Sequence, residues 1–155
     1  MDTKKEPKKV VIGGTFDFFH NGHKALLRKA FELGKVSMGL VSDEMAKNFK
    51  GRTVENFVKR QEELEDFIKQ EFGTEAKILK INDKFGFAAD EDFDCIIVSP
   101  ETYETALAIN EERQKRGKKS IEIIKIDFVL AKDGKPISSS RIFNGEINRE
   151  GKMLK

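Results

Sequence analysis

Residues 9–23 read KVVIGGTFDFFHNGH, and the fold of the chain follows from this stretch. Its apolar beginning, Lys9–Gly13, ends in glycines, a pattern typical of a buried strand. Residues 22–33 then carry apolar side chains at helical spacing, and Gly34 stands where a glycine commonly ends a helix. The stretch therefore predicts a strand, a glycine turn and a helix in immediate succession.

The alternation of strands and helices continues toward the C-terminus. Further strands are predicted at Val36–Val41, Ala76–Ile81, Cys95–Val98 and Ile121–Leu130. The helices expected among them span residues 54–72, residues 99–116 and a short segment after Pro136, with a polar loop at Ser42–Thr53. Strands that alternate with helices form parallel sheets covered on both faces. We therefore predict the α/β class, as a single domain with a Rossmann-like, doubly wound, five-stranded parallel sheet of strand order 3-2-1-4-5.

Length and composition describe a small, strongly ionic protein. The chain has 155 residues, with 29 Lys and Arg against 27 Asp and Glu, a net charge of +2. This balance favours neither nucleic acid nor an anionic membrane as a partner. Cys95 is the only cysteine and no apolar run has the length of a membrane span, so we expect a cytoplasmic protein. Residues 1–8 are predicted to form a flexible charged leader, and residues 9–155 the single domain.

The turn after the first strand has the composition of a phosphate site. Paired glycines let backbone N–H groups approach a ligand, and the N-terminus of the following helix attracts anions. His20 and His23, the only histidines of the chain, lie three residues apart and share one helix face. On the residues alone, a chance pair of surface histidines is an equally good interpretation. A Walker A loop, the dinucleotide-binding glycine fingerprint and a four-ligand zinc site are excluded, because the sequence lacks their residues.

Two motifs in the chain resemble those of the nucleotidyltransferase superfamily. Gly14-Thr15-Phe16-Asp17 followed by His20-Asn21-Gly22-His23 is similar to its first motif, and Ile137-Ser138-Ser139-Ser140-Arg141 is similar to its second. Within the superfamily, the chain most resembles the archaeal-type pantetheine-phosphate adenylyltransferases, which carry segments like Val41–Met45 and Val98–Thr102. The resemblance implies a step of coenzyme A biosynthesis: AMP passes from ATP, accompanied by Mg²⁺, to 4′-phosphopantetheine, giving dephospho-coenzyme A and pyrophosphate. Nicotinamide-mononucleotide, FAD or glycerol-phosphate types and a non-catalytic nucleotide-binding module are the alternatives.

The resemblance also implies roles for individual residues. His23 would stabilise the transition state, and Lys47, chosen over Lys50 and Arg52, would bridge the two substrates. Thr15 would contact the acceptor as well as ATP, and Asp17 would orient the turn. No side chain is expected to ligate a metal ion. The residues expected to bind the ATP phosphates are Thr15, Phe16, His20, Ser138, Ser139, Ser140 and Arg141.

Overall fold

A parallel sheet of five strands forms the centre of the computed structural model, which describes residues 7–154. The strand order is β3-β2-β1-β4-β5, as predicted, so the first strand lies in the middle and the winding reverses beside it. The strands are β1 (Lys8–Gly14), β2 (Gly34–Val41), β3 (Lys77–Ile81), β4 (Cys95–Val98) and β5 (Glu122–Lys125).

Helices cover both faces of the sheet, as the alternating pattern predicts. They are α1 (Asn21–Leu33), α2 (Asp43–Lys50), α3 (Phe57–Phe72), α4 (Tyr103–Lys115) and α5 (Ser139–Phe143), with a short 3-10 helix at Gly86–Ala89. Val10 and Ile12 of β1 pack in a core with Leu27 of α1 and Leu64 of α3. Val11, between them, belongs to a second core that contains α4. The strict alternation of β1 thus connects both layers of the domain.

The segment Ser42–Thr53, predicted as a loop, instead contains helix α2. The Ser42 side chain caps the helix by accepting a hydrogen bond from the Met45 backbone N–H (3.2 Å). Acidic residues occupy the first turn and lysines the last, which complements the helix dipole. Gly51 ends the helix in the left-handed conformation (φ 65°). All of these signals are present in the sequence; the shortness and polarity of the segment concealed them.

Three predicted boundaries also differ from the structure by three residues or more; the first is the start of α3, at Phe57 and not at residue 54. Helix α4 begins at Tyr103 and not at Ser99, because a turn comes first, in which the Thr102 N–H donates to the Ser99 carbonyl (3.1 Å). Strand β5 ends at Lys125 and not at Leu130. Its neighbour β4 ends at Val98, whose carbonyl accepts from the Ile126 N–H (2.8 Å), so the residues after Ile126 extend past the end of β4.

Strands β1 and β2 approach each other closely where they begin. Gly34 pairs with Lys8, and a Cβ atom added at Gly34 would lie 2.1 Å from the Lys8 carbonyl oxygen. Only glycine fits this contact without moving one of the strands. Most of the predicted leader, residues 1–8, lies outside the described residues and stays a prediction, although Lys8 itself belongs to β1.

We predict that Gly34→Ala destabilises the protein by about 3 kcal/mol, the upper end of the usual overpacking cost, since the new methyl group meets backbone. Gly13→Ala is the matched control. Its added Cβ would make only an ordinary 3.6 Å contact with the Gly39 carbonyl oxygen, so stability should change by about 1 kcal/mol or less. Urea unfolding of both variants measures the difference. Equal losses would contradict the role of the close approach at Gly34.

Candidate active site

A cavity of about 350 Å³ opens at the carboxyl ends of the strands, around the end of the central strand β1. This is the place where doubly wound sheets bind their ligands. The cavity extends toward Met45 and Phe87 on the β2 side and toward Ser99 and Asp127 on the β4 side. Between these two regions its wall carries a group of polar side chains: Thr15, Asp17, His20, His23, Lys50 and Ser139.

His20 and His23 form a reciprocal cap at the start of α1. The Gly22 N–H donates to Nδ1 of His20 (3.0 Å), and the His20 N–H donates to Nδ1 of His23 (3.2 Å). The two rings stack with their centroids 3.7 Å apart. Because each Nδ1 accepts a hydrogen bond, the proton of each neutral imidazole lies on Nε2. Both histidines therefore keep an Nε2–H group available for a ligand.

The surroundings keep both histidines uncharged near neutral pH. Burial lowers the pKa of His20 from 6.5 to about 4, and the positive charges of Lys50 and Arg149 act in the same direction. Burial also lowers the pKa of His23 well below its ordinary value, together with the neighbouring His20, Lys50 and Arg149. The pair consequently acts as two neutral hydrogen-bond donors and not as two cations.

Two phenylalanine rings pack against the His23 imidazole. The Phe16 ring centroid lies 5.1 Å from that of His23, and the Phe19 ring stacks at 5.7 Å. Phe16 and Phe18 have left-handed backbones, with φ values of 52° and 47°, which bulky residues rarely adopt. Strained residues of this kind cluster at functional sites. In this turn, the strain places the buried Phe16 ring against the imidazole.

Of the two candidate lysines, the structure brings Lys50 to the cavity. Met45, Phe49 and Lys50 line it from α2. Lys47 is exposed and lies outside it. Lys47 is two residues away from both Met45 and Phe49 along the helix. Side chains two residues apart point to nearly opposite sides of a helix, so Lys47 faces away from the cavity. The geometry therefore favours Lys50 over the predicted Lys47, because only Lys50 lines the cavity. Which lysine bridges the substrates stays a prediction.

Only one of the three predicted serines lines the cavity. Ser139 is buried, and its Oγ accepts hydrogen bonds from Lys50 Nζ and from Arg52 Nη2, both at 3.2 Å. Ser138 caps α5 instead, accepting from the Arg141 backbone N–H (3.2 Å). Ser140 does not line the cavity. The cap and the cavity residue are thus consecutive serines with separate tasks.

Arg141 does not line the cavity either. Its guanidinium forms ion pairs with the carboxylates of Asp133 and Glu146 and donates to the Pro136 carbonyl (3.0 Å). These contacts hold the chain on both sides of α5. The predicted phosphate contact of Arg141 has no geometric support, because its donors already have partners.

Arg60, which the sequence analysis did not single out, organises the wall of the site. It is 1% exposed and donates to the carbonyls of Thr15 and Val41, both at 2.9 Å, and of Glu55 at 2.7 Å. Its remaining donor reaches the Asp43 carboxylate (2.9 Å). The sequence did carry a signal, because residue 60 falls on the otherwise apolar face of α3.

No group of three or more His, Cys, Asp or Glu side chains within residues 7–154 could hold a metal ion. Asp17, the carboxylate within the turn between β1 and α1, already accepts from Arg52 Nη1 (2.7 Å) and from the Glu55 N–H (2.9 Å). The described residues therefore supply no protein cage.

Comparison with known proteins places the chain in a family. The family model described as Cytidylyltransferase-like matches residues 11–145. The chain belongs to this family. A phosphopantetheine adenylyltransferase from Methanosarcina barkeri is 50% identical over 153 residues, covering 95% of this chain and 93% of the relative. One from Archaeoglobus fulgidus is 45% identical over 148 residues, covering 94% and 99%. These relatives confirm the resemblance inferred from the two motifs.

A solved structure supports the same placement. A protein from Archaeoglobus fulgidus, described as having unknown function, superimposes with a TM-score of 0.73 at 42% sequence identity. The match covers 77% of this chain and 89% of that one.

Within residues 7–154, no helix is long and apolar enough to cross a membrane.

We predict an acid-dependent loss of stability that passes through His20. Its pKa is about 4 in the folded protein and 6.5 as a free side chain, so between these pH values the unfolded chain binds a proton that the folded chain does not. The free energy of unfolding should therefore decrease as the pH falls through this window, by up to about 3 kcal/mol from His20. Above the window the effect is absent.

The variant His20→Asn isolates this contribution, because asparagine also caps helices but does not titrate. Urea unfolding at pH 7 and pH 4.5 should show a smaller decrease in the variant than in the wild type. Carboxylates contribute equally to both proteins and cancel in the difference. An identical decrease in both would mean that His20 is not held neutral by the fold.

Proposed function

We propose that the protein transfers AMP from ATP to 4′-phosphopantetheine and releases pyrophosphate and dephospho-coenzyme A. The observation that carries the proposal is the convergence of two neutral histidine donors and Lys50 on one cavity, in a chain half identical to a phosphopantetheine adenylyltransferase. The geometry of the site supports AMP transfer as the reaction, and the relatives support 4′-phosphopantetheine as the acceptor.

The reaction requires correctly positioned hydrogen-bond donors, and it does not require a general base. A phosphate oxygen of the acceptor attacks the α-phosphorus of ATP, and the bond from this phosphorus to the oxygen of the leaving pyrophosphate breaks. The attacking group is already an anion, so no proton has to be removed from it. Catalysis then consists of alignment and of stabilising the charge on the phosphoryl oxygens.

The proposed roles follow from the donors that each side chain keeps free. His23 and His20 present Nε2–H groups to the phosphoryl oxygens of the α-phosphate and its neighbour. Lys50 replaces Lys47 as the cation that bridges the two substrates. The backbone of the turn at Thr15 and Phe16 approaches the phosphates, while the Ser139 hydroxyl donates from its position beside Lys50. Mg²⁺ bound to the triphosphate would neutralise part of its charge, with phosphate oxygens and water as its main ligands.

The acceptor itself is tested with a panel. We expect purified protein with ATP and Mg²⁺ to release pyrophosphate when 4′-phosphopantetheine is added, with dephospho-coenzyme A identified by mass spectrometry. Nicotinamide mononucleotide, FMN and glycerol 3-phosphate are the competing acceptors. Turnover with one of these alone would move the protein to another branch of the family. ATP binding without turnover on any acceptor would contradict an enzymatic function.

The two lysines of α2 provide a matched pair of variants. Lys50→Ala should lower kcat about 100-fold or more, the usual effect of removing one donor from such a site. Lys47→Ala should leave kcat nearly unchanged, because its side chain is exposed and outside the cavity. Steady-state pyrophosphate release measures both. The reverse order of effects would restore Lys47 as the bridging cation.

A further inference from the structure

A second basic residue, Arg52, lies behind the cavity wall without lining it. Its Nη1 donates to the Asp17 carboxylate (2.7 Å), and its Nη2 donates to Ser139 Oγ (3.2 Å). The guanidinium packs against the rings of Phe18 and Phe143, with its carbon 5.7 and 4.7 Å from their centroids. Only 12% of the side chain is exposed. Arg52 thus joins the histidine turn to α5.

The charge of Arg52 matters because its ion-pair partner, Asp17, is a buried carboxylate. The Asp17 side chain is 0% exposed, and it lines the same cavity as the histidines. Within the described residues, its one ion-pair partner is Arg52. A buried carboxylate without a cation is strongly unfavourable, so the charge of Asp17 will attract any cation that can reach it.

Lys50 is the cation that stands nearest to this network. Its Nζ donates to the same Ser139 Oγ that accepts from Arg52 (3.2 Å). No carboxylate within residues 7–154 forms an ion pair with Lys50. Two cations therefore meet at a single hydroxyl, and one of them, Arg52, also binds the buried carboxylate of Asp17. Arg52 satisfies the carboxylate, and Lys50 is left with a neutral partner that an anionic substrate can replace.

We propose that Arg52 is a positioning residue for adenylyl transfer: by neutralising Asp17 and holding Ser139, it keeps Lys50 available for the phosphates. This inference rests on the proposed function and adds a residue that does not touch the substrate. Without the charge of Arg52, Lys50 turns to Asp17 and is lost to the reaction. The guanidinium geometry matters as well, because only a fork reaches Asp17 and Ser139 together.

The charge argument is tested with Arg52→Gln and with the double variant Asp17→Asn/Arg52→Gln. The single variant leaves the buried carboxylate free to capture Lys50, so kcat/KM should fall about 100-fold and the Kd for ATP, measured by calorimetry, should rise. The double variant removes the carboxylate as well. It should regain at least about tenfold in kcat/KM and most of the ATP affinity, although it carries one more substitution.

Arg52→Lys and Arg28→Gln complete the set. Arg52→Lys keeps the charge beside Asp17 and should retain more activity than Arg52→Gln, which keeps the proposal testable even if the neutral variant does not fold by circular dichroism. Arg28 forms an ion pair with Glu71 that is remote from the cavity, so Arg28→Gln should change kcat/KM less than twofold. This variant controls for effects that would follow from replacing any arginine with glutamine.

Two results would overturn the inference. One is a double variant that is no more active and binds ATP no better than Arg52→Gln. The other is an Arg52→Lys variant as impaired as Arg52→Gln. Failure of the proposed function would give a different result, because the wild type would then form no product with any acceptor. The order of the ATP affinities among the wild type and the variants would still test the role of Arg52.

Discussion

The buried guanidinium of Arg60 connects the parts of the structure on which the site depends. It donates to the carbonyls of Thr15 and Val41, which lie where β1 and β2 end and the sheet no longer supplies partners. It also binds Asp43, the first residue of α2, and so fixes where that helix begins. The turn between β1 and α1, which leads to His20, and helix α2, which carries Lys50, therefore take their relative positions from one side chain of α3.

In the proposed reaction, helix capping and substrate binding would use different atoms of the same two imidazoles. Nδ1 of His20 and Nδ1 of His23 close the first turn of α1, which leaves each Nε2–H toward the cavity. Burial, together with the charges of Lys50 and Arg149, makes protonation of both rings unfavourable. The positive charge proposed to meet a triphosphate is therefore that of Lys50. This division would let a wall containing two histidines bind a highly charged ligand without depending on their titration.

The sheet and the histidine turn could be predicted from the sequence because both are local patterns. Periodic apolar residues give the strands, and the glycines and His20 mark the mouth of α1. The choice between Lys47 and Lys50 could not be made, since it depends on the rotation of α2, a helix concealed by its polar composition. Arg60 was missed for a related reason: a charged residue on an apolar face becomes meaningful only when its distant carbonyl partners are known.

The left-handed backbone at Phe16 and Phe18 has a consequence for how the site meets its ligands. Each such residue costs on the order of 1–3 kcal/mol, and this energy is supplied by the folding of the whole domain. The turn is therefore already ordered when a nucleotide arrives, and little conformational entropy remains to be lost on binding. A looser turn built on glycine would fold with less strain, but it would have to become ordered again with every substrate molecule.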